Sequence, residues 1–420
     1  MTRRVVILAP EPIRPKMAGM GIRALELART LRSEFDVRLL VGNDPAEAAA
    51  AAGGVPIVAA PPGGLAAAAV NADAAVVSGH AANWWFHQVA NVPVAADLYD
   101  PFFVENLHYA PMLGEATSVH DRATLGLALA RADFFLCASQ EQRLFYAGAL
   151  YGAGRIGPSN FPADPTLSNL VAVVPFGVPG EAASGDRAEG RRLLNLPLEG
   201  PLVLFGGIYD WYEPDLVLEA WPGVLRRCPD AKLLFFENPN PETTPQRVYA
   251  RARERARAID PQGRSIVFSP WLPYAARANL YAAVDLLVSI SSEGLERDLA
   301  FRTRLLDAAW GGVCSVSVAG GPLARQLEEA GAGRRVARTA SALADALTQM
   351  LSDPVEREKA GAAAQRFAAA RSWSAVAAPL AAWCRDARVD PGRLPFPGQE
   401  PKAPIWRRLR KKVAGARQDL

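Results

Sequence analysis

Several short stretches of this sequence place glycine, arginine and carboxylate residues at spacings suited to holding an anion. The densest runs from Ser291 to Gly312. An apolar run ends at Ile290, a charged loop follows, and a short helix is expected from Thr303 to Trp310 before Gly311-Gly312. Arg302 and Arg304 stand at that helix's N-terminus, where the helix dipole adds to guanidinium charge, a combination that suits a diphosphate. Thr303 and Asp307 lie at i,i+4 and share a face. Arg304 and Asp307 lie at i,i+3 and would serve equally well as a surface ion pair that needs no ligand.

The remaining candidates are weaker singly. Gly19-Met20-Gly21 opens a helix, followed by Arg23, and would let an anion approach free amide groups. It is not a full G-x-G-x-x-G, and a turn alone would also explain it. Gly206-Gly207 follows the first strand of the second half and would admit a diphosphate or a sugar, or simply a tight strand-to-helix turn. Asp97 and Asp100, in Asp97-Leu98-Tyr99-Asp100-Pro101, come at a strand end; Asp100 before Pro101 is also a good turn former. His80 follows another strand end, although a single histidine is more often a structural hydrogen-bonder.

These residues need a scaffold that brings strand ends together, and the sequence supplies one. Short β-rich runs occur at Arg4–Ala9, Asp36–Val41, Val55–Ala59, Ala74–Ser78, Val92–Ala96, Asp133–Ala138 and Leu170–Val174, with helical spacing between them, as at Ile22–Leu31, Glu115–Arg131 and Gln140–Tyr151. The segment from Pro179 to Gly200 breaks the pattern and reads as a linker with a short helix near Arg187–Leu194. Strands are then expected at Leu202–Phe205, Lys232–Phe236, Ser265–Phe268, Leu286–Ile290 and Cys314–Val318. Helices are expected at Pro214–Arg227, Thr244–Ala258, Tyr274–Ala283, Thr303–Trp310, Pro322–Ala330 and Ala340–Ser352, with two more across Val355–Arg385. Buried strands alternating with helices argue for α/β architecture with two doubly wound parallel sheets. A ligand cleft then falls at the C-terminal ends of the strands.

Composition narrows the class. Half of the 420 residues are hydrophobic, 21% are charged, and the mean hydropathy is +0.03, the profile of a globular chain. No apolar run approaches the roughly 18 residues of a spanning helix. Val5–Ala9 is too short for a secretory signal. The four cysteines lie far apart, so neither a disulfide framework nor a zinc cluster is expected, and the cytoplasm fits best. From 401 to 420 there are seven basic residues and one acidic residue, against 39 basic and 42 acidic in the rest. The body is thus mildly acidic, which argues against nucleic acid as a partner. In the tail, Ile405, Leu409 and Val413 recur at helical spacing beside Trp406, with cations between them, which suits an anionic membrane surface through 402–417. A solvated charge run is the competing reading.

Taken together, the chain up to about residue 388 resembles the retaining GT-B glycosyltransferases of the large group called family 4. The resemblance rests on the glycine loop after the first strand, Ser139-Gln140-Glu141, Val174-Pro175-Phe176-Gly177-Val178, and the acidic motif before a helix ending in Gly-Gly. It implies a GT-B fold, two Rossmann-like domains facing a central cleft. The parts would be an acceptor domain over 1–180, a linker over 181–200, a nucleotide-sugar domain over 201–371, a helix over 372–388 crossing back to the first domain, and a Pro-rich then basic tail over 389–420. In that family a Glu-x7-Glu motif contacts the donor sugar and the ribose. Asp307 matches its second carboxylate, but Leu299 stands at the first, leaving Glu296 as the nearest substitute, with Glu293 and Asp298 competing. The Arg and Lys usual after the first strand of the second domain are absent from 206–213, so Arg302 and Arg304 would take over that charge, or donor binding is lost.

The resemblance implies a retaining enzyme that moves a sugar from a nucleotide diphosphate sugar to a glycan or lipid-linked acceptor in polysaccharide biosynthesis, at the inner face of the cell membrane if the tail binds there. It implies Arg302, Arg304, Glu296 and Asp100 as catalytic residues. The donor would be held by Asp307, Thr303, Gly206, Gly207, Gly19 and Gly21, with Arg23, His80 and Asp97 on the acceptor side. The nucleotide sugar is a co-substrate; no cofactor and no metal are expected, because no D-x-D arrangement is present. A nucleotide-sugar epimerase, a sugar phosphorylase and a non-catalytic binding or assembly subunit remain as alternatives.

Overall fold

The structure, a computed structural model, describes residues 2–396 other than 62, 208, 240–245 and 319. The basic tail therefore lies outside the described residues, as do the start of the helix expected at Thr244 and most of the Pro-rich segment.

The apolar runs of the first half become seven parallel strands: β1 (Arg4–Leu8), β2 (Asp36–Val41), β3 (Ile57–Ala59), β4 (Ala74–Ser78), β5 (Val94–Asp97), β6 (Phe134–Cys137) and β7 (Val171–Val173). Their order is β3-β2-β1-β4-β5-β6-β7. The second half forms β8 (Leu202–Phe205), β9 (Lys232–Phe236), β10 (Ile266–Ser269), β11 (Leu286–Ile290), β12 (Ser315–Val318) and β13 (Gly333–Val336), again parallel, in the order β10-β9-β8-β11-β12-β13. Helices cover both faces, so β4, β5, β6, β8 and β11 are buried along their whole length. In each sheet the order reverses beside the first strand, between β1 and β4 and between β8 and β11. The loops leaving those pairs diverge and open a crevice.

The observed bounds depart from the expected ones where the side chains explain why. β5 runs to Asp97 and not to Ala96, because Asp97 keeps ladder register with Ser78 and Leu136. β13 was not anticipated: Gly-Arg-Arg-Val has no apolar run, and the strand sits at the sheet edge with Arg334 and Arg335 paired to Glu356 and Glu328. The stretch from 355 to 385 holds three helices, not two: Pro354–Ala369, Trp373–Val376 and Ala378–Arg385. Asp353 caps the first by accepting from Glu356 N, and Ser372 caps the second by accepting from Ala375 N.

The last helices return to the first sheet. Val178 N donates to Arg371 O at 3.0 Å and Trp373 N to Val178 O at 2.9 Å. Only glycine fits at 177, since a Cβ there would lie 2.8 Å from Trp373 Cα. Trp373 packs edge-on against Phe176, and Trp383 stacks on Phe134. Beyond Arg385 the chain is fastened along the N-terminal ends of β5 and β6. Arg393 pairs with buried Asp133, Arg155 pairs with Asp390, and Phe396 lies under Arg131. That is the side of the first sheet away from the crevice.

Candidate active site

The C-terminal ends of the two sheets face one another and touch. Gln142 anchors the contact from the helix Gln140–Gly152, whose N-cap Ser139 accepts from Gln142 N. Its buried side-chain amide donates to Tyr99 O at 2.9 Å in the first domain and to Leu299 O at 2.8 Å in the second. Tyr99 Oη donates to Phe301 O at 3.2 Å, and Tyr274 N to Pro15 O at 2.8 Å. Leu299, where the resemblance would place a carboxylate, thus serves as a backbone docking point. Gln142 lies just past the Ser139-Gln140-Glu141 stretch, but nothing in the sequence says that it bridges two domains.

Between these contacts the crevice has two lobes that meet at Ala18, Gly19, Tyr209, Tyr212 and Thr303. The lobe on the second domain holds Asp307, Thr303 and Arg304 from the helix Thr303–Trp310, as their spacing predicts. It also holds Arg277, Tyr281 and Trp271, which sequence reasoning missed. Arg304 lies over the Trp271 ring at 4.5 Å, and Arg277 over Tyr274 at 3.8 Å. Neither guanidinium makes a salt bridge among the described residues, and the Arg277 Nε is buried without a hydrogen-bond partner. The Arg304–Asp307 surface pair allowed by the i,i+3 spacing does not form. Burial raises the Asp307 carboxyl to about 6, against the opposing pull of Arg277 and Arg304. The result is a carboxyl group facing two guanidiniums that have no closer acidic partner among the described residues.

Arg302 does not share that lobe. Its guanidinium makes two hydrogen bonds to Glu296, at 2.8 and 2.6 Å, and lies over the Tyr212 ring at 4.8 Å. Both partners are nine-tenths or more buried. Arg302 is the residue before the helix, with non-helical backbone (φ −71°, ψ 88°), so its side chain leaves the helix register that Arg304 follows. Glu296 is consumed by this pair and lines neither lobe. Two expected catalytic residues thus form a structural brace.

The glycines also need correction. Gly19 borders both lobes, with Thr303 opposite. Gly21 borders neither: its N–H donates to Glu11 Oε2 at 3.3 Å, so this helix end already holds a carboxylate. Gly206 and Gly207 line neither lobe; a Cβ on Gly207 would lie 3.1 Å from the Tyr212 ring, and Gly207 makes room for that ring, while Gly206 lies against Val288 O and Ser289.

The lobe on the first domain holds Asp100 and His80 as expected, together with Glu11, Glu105 and the aromatic rings of Tyr99, Tyr109, Tyr209, Trp211 and Tyr212. His80 Nε2 lies 3.2 Å from Asp121 Oδ1, and its ring stacks on His120. Burial lowers its pKa, with Asp121 opposing, which favours the neutral ring at pH 7. Arg23 and Asp97 are not in the lobe. They form a buried pair, with Arg23 Nε donating to Asp97 at 2.6 Å and its Nη groups to Val174 O and Pro175 O. Closed to any ligand, the pair fixes the strand ends on which Tyr99 and Phe176 stand.

No protein-family model matches this sequence, and no curated protein does. Solved structures match its fold. One is the Anabaena protein HepE (Alr3699), solved in complex with UDP-glucose, at a TM-score of 0.66 and 16% identity over 90% of this chain and 98% of that one. A second is sucrose-phosphate synthase from Thermosynechococcus elongatus, at 0.61 and 15% over 91% and 98%. A third is WaaG, a glycosyltransferase involved in lipopolysaccharide biosynthesis, at 0.61 and 14% over 91% and 100%. The chain therefore has the GT-B fold.

Proposed function

We propose that this protein is a glycosyltransferase that takes a sugar from a nucleotide diphosphate sugar, bound on the second domain, and passes it to an acceptor bound on the first, with retention at the anomeric carbon. The observation that carries the reading is the second-domain lobe, where Asp307 faces Arg277 and Arg304 and neither guanidinium makes a salt bridge among the described residues. A nucleotide diphosphate supplies what that lobe lacks: ribose hydroxyls to donate to Asp307 and phosphate oxygens to accept from the guanidiniums. The fold shared with HepE, whose structure holds UDP-glucose, supports a nucleotide sugar as the ligand.

In this reading the bond between the anomeric carbon and the diphosphate breaks, and the leaving oxygen gains negative charge opposite Arg304 and Arg277. The acceptor hydroxyl attacks the same face, and its proton passes to the departing phosphate oxygen. Fixed positive charge that needs no reorganisation lowers the barrier. Arg277 takes the place first assigned to Arg302, whose charge is spent on Glu296.

The test is thermal unfolding of the full chain with UDP, GDP, ADP and CMP. One of them should stabilise it, by about 2.7 kcal/mol at a hundredfold excess over Kd. No response to any of them would favour the non-catalytic scaffold. Asp307→Ala should weaken that response and raise the donor KM more than it lowers kcat, because a ribose contact is mostly uniform binding. In the unsubstituted protein donor affinity should fall as pH drops through about 6, where Asp307 gains its proton. Donor breakdown that requires inorganic phosphate would indicate a phosphorylase.

The acceptor is a glycan or a lipid-linked glycan, and we place the protein in the cytoplasm with its basic tail, 402–417, on an anionic membrane. No helix among the described residues is long and apolar enough to cross a membrane. Co-sedimentation with anionic liposomes should separate the full chain from a version ending at Pro401, and equal binding of the two would remove the membrane from the proposal.

A further inference from the structure

The helix Thr303–Trp310 carries Thr303, Arg304 and Asp307 into the second-domain lobe, yet its own sequence does little to fix where it starts. Arg302 stands at its N-cap, and among the described residues no side chain caps it. An uncapped start frays easily, because the first N–H groups have no partner within the helix. The preceding helix, Leu295–Leu299, is five residues long and closes with Ala300 N donating to Glu296 O at 2.8 Å. Ala300, Phe301 and Arg302 connect the two helices. Glu296 braces Arg302 from within the second domain. Two further fixings come from the first domain. Leu299 O, a carbonyl at a helix C-terminus, accepts from Gln142 Nε2 at 2.8 Å. Phe301 O, two residues on, accepts from Tyr99 Oη at 3.2 Å.

The two donors act as one unit. Gln142 is fully buried, and its Oε1 accepts from Ala138 N at 2.6 Å, which turns both N–H groups of the amide towards carbonyls. One goes to Tyr99 O at 2.9 Å and the other to Leu299 O. Tyr99 is fixed in turn by the Arg23–Asp97 pair: the Arg23 guanidinium lies 4.4 Å from its ring centre, and Tyr99 N donates to Asp97 Oδ1 at 3.3 Å. Burial raises the Tyr99 phenol well above its usual range, against the pull of Arg23, so the hydroxyl keeps the proton it donates. Two donors rooted in one domain thus meet two carbonyls at i and i+2 in the other. That fixes both the position and the rotation of the stretch that leads into Thr303.

We propose that Tyr99 and Gln142 are positioning residues for the donor: from the first domain they hold Phe301 O and Leu299 O, and so aim Thr303 and Arg304 at the donor diphosphate. The inference rests on the reading of the second-domain lobe as the nucleotide-sugar site. It makes that site complete only while the two domains touch as they do here. When they part, water replaces both donors and the stretch before Thr303 loses its outside fixings. It also gives the Arg23–Asp97 pair, closed to any ligand, a part in the reaction through Tyr99.

The experiment compares the unsubstituted full chain with Tyr99→Phe, Gln142→Met and Arg325→Ala. Tyr99→Phe removes one hydroxyl and keeps the ring beside Arg23. Gln142→Met keeps the side chain's length and removes its donors. Arg325→Ala is the control, since it breaks the exposed pair with Glu141, another contact between the domains, and leaves Leu299 O and Phe301 O bonded. Hydrogen exchange is read by mass spectrometry without nucleotide. Amides of 300–306 should exchange at least about fivefold faster in the first two variants, the scale of one lost hydrogen bond, and within about twofold of the unsubstituted rate in the control. Affinity is then measured for UDP against UMP, GDP against GMP and ADP against AMP. For the pair that binds, the preference for the diphosphate should fall at least about fivefold in Tyr99→Phe and Gln142→Met, with monophosphate affinity held within about twofold. A merely structural role would lower thermal stability and leave that preference where it was. If one of the two variants does not fold, the other decides. Unchanged exchange, an unchanged diphosphate preference, or equal losses in Arg325→Ala would overturn the proposal. If the unsubstituted protein binds none of the pairs, the glycosyltransferase reading fails first and takes the proposal with it.

Discussion

Arg304→Ala is expected to lower turnover of the nucleotide sugar by about two to three orders of magnitude and to leave the protein folded, the scale seen when one fixed donor to a developing oxyanion is removed. The fold should survive because Arg304 makes no salt bridge among the described residues; it lies over Trp271, and Asp307 keeps Arg277 beside it when Arg304 is removed. A second effect follows from Asp307. Arg304 is one of the two cations that pull the Asp307 carboxyl down, so in the variant that carboxyl titrates above its present value of about 6. At pH 7 more of it is protonated and the donor KM should rise, with part of that rise recovered at pH 8. Arg304→Lys should fall between the two, since it keeps the charge but not the planar fork. Steady-state kinetics at the two pH values, with a thermal-unfolding control, decide the matter. Kinetics unchanged from the unsubstituted protein would remove Arg304 from the reaction.

The scaffold was readable because buried parallel strands are written as short apolar runs. Val-Val-Ile-Leu in β1, Leu-Val-Leu-Phe in β8 and Leu-Leu-Val-Ser-Ile in β11 have few other uses in a chain this charged. Where the run is lacking, as in Gly-Arg-Arg-Val of β13, edge position and ion pairs do the work, and these depend on Glu328 and Glu356 arriving from other elements. Similarly, Asp97 belongs to β5 because its neighbours Ser78 and Leu136 hold it in register. Its carboxylate then needs the buried guanidinium of Arg23, a partner 74 residues away.

The site was readable only in its local geometry. The i,i+4 spacing of Thr303 and Asp307 placed both on the cleft face, because that is a property of the helix alone. Arg277 carried no signal: it sits in Tyr-Ala-Ala-Arg-Ala-Asn, and only the packing of that helix beside Thr303–Trp310 brings it to Asp307. Glu11 and Glu105 flank motifs that were noticed, yet their convergence on Asp100 depends on the strand order β1-β4-β5, which a sequence does not state.

Arg302 and Arg304 look equivalent in the sequence, and the largest stability change is expected from the one whose guanidinium is closed on Glu296. Arg302→Ala leaves the Glu296 carboxyl, 3% exposed, without its counter-ion. Breaking a buried pair from one side costs about 3–5 kcal/mol, far more than the loss of a surface charge. The site should suffer with the fold, because the Arg302–Glu296 pair ties the helix Leu295–Leu299 to the chain just before Thr303 and supports Tyr212 between the lobes. Replacing both partners with apolar residues, as in Glu296→Leu/Arg302→Met, removes both charges at once and should recover most of the stability lost. A double-mutant cycle by denaturant unfolding reads the coupling directly. If Arg302 instead grips the donor phosphates, Arg302→Ala should unfold like the unsubstituted protein and lose turnover alone, and the double variant should gain nothing over it in stability.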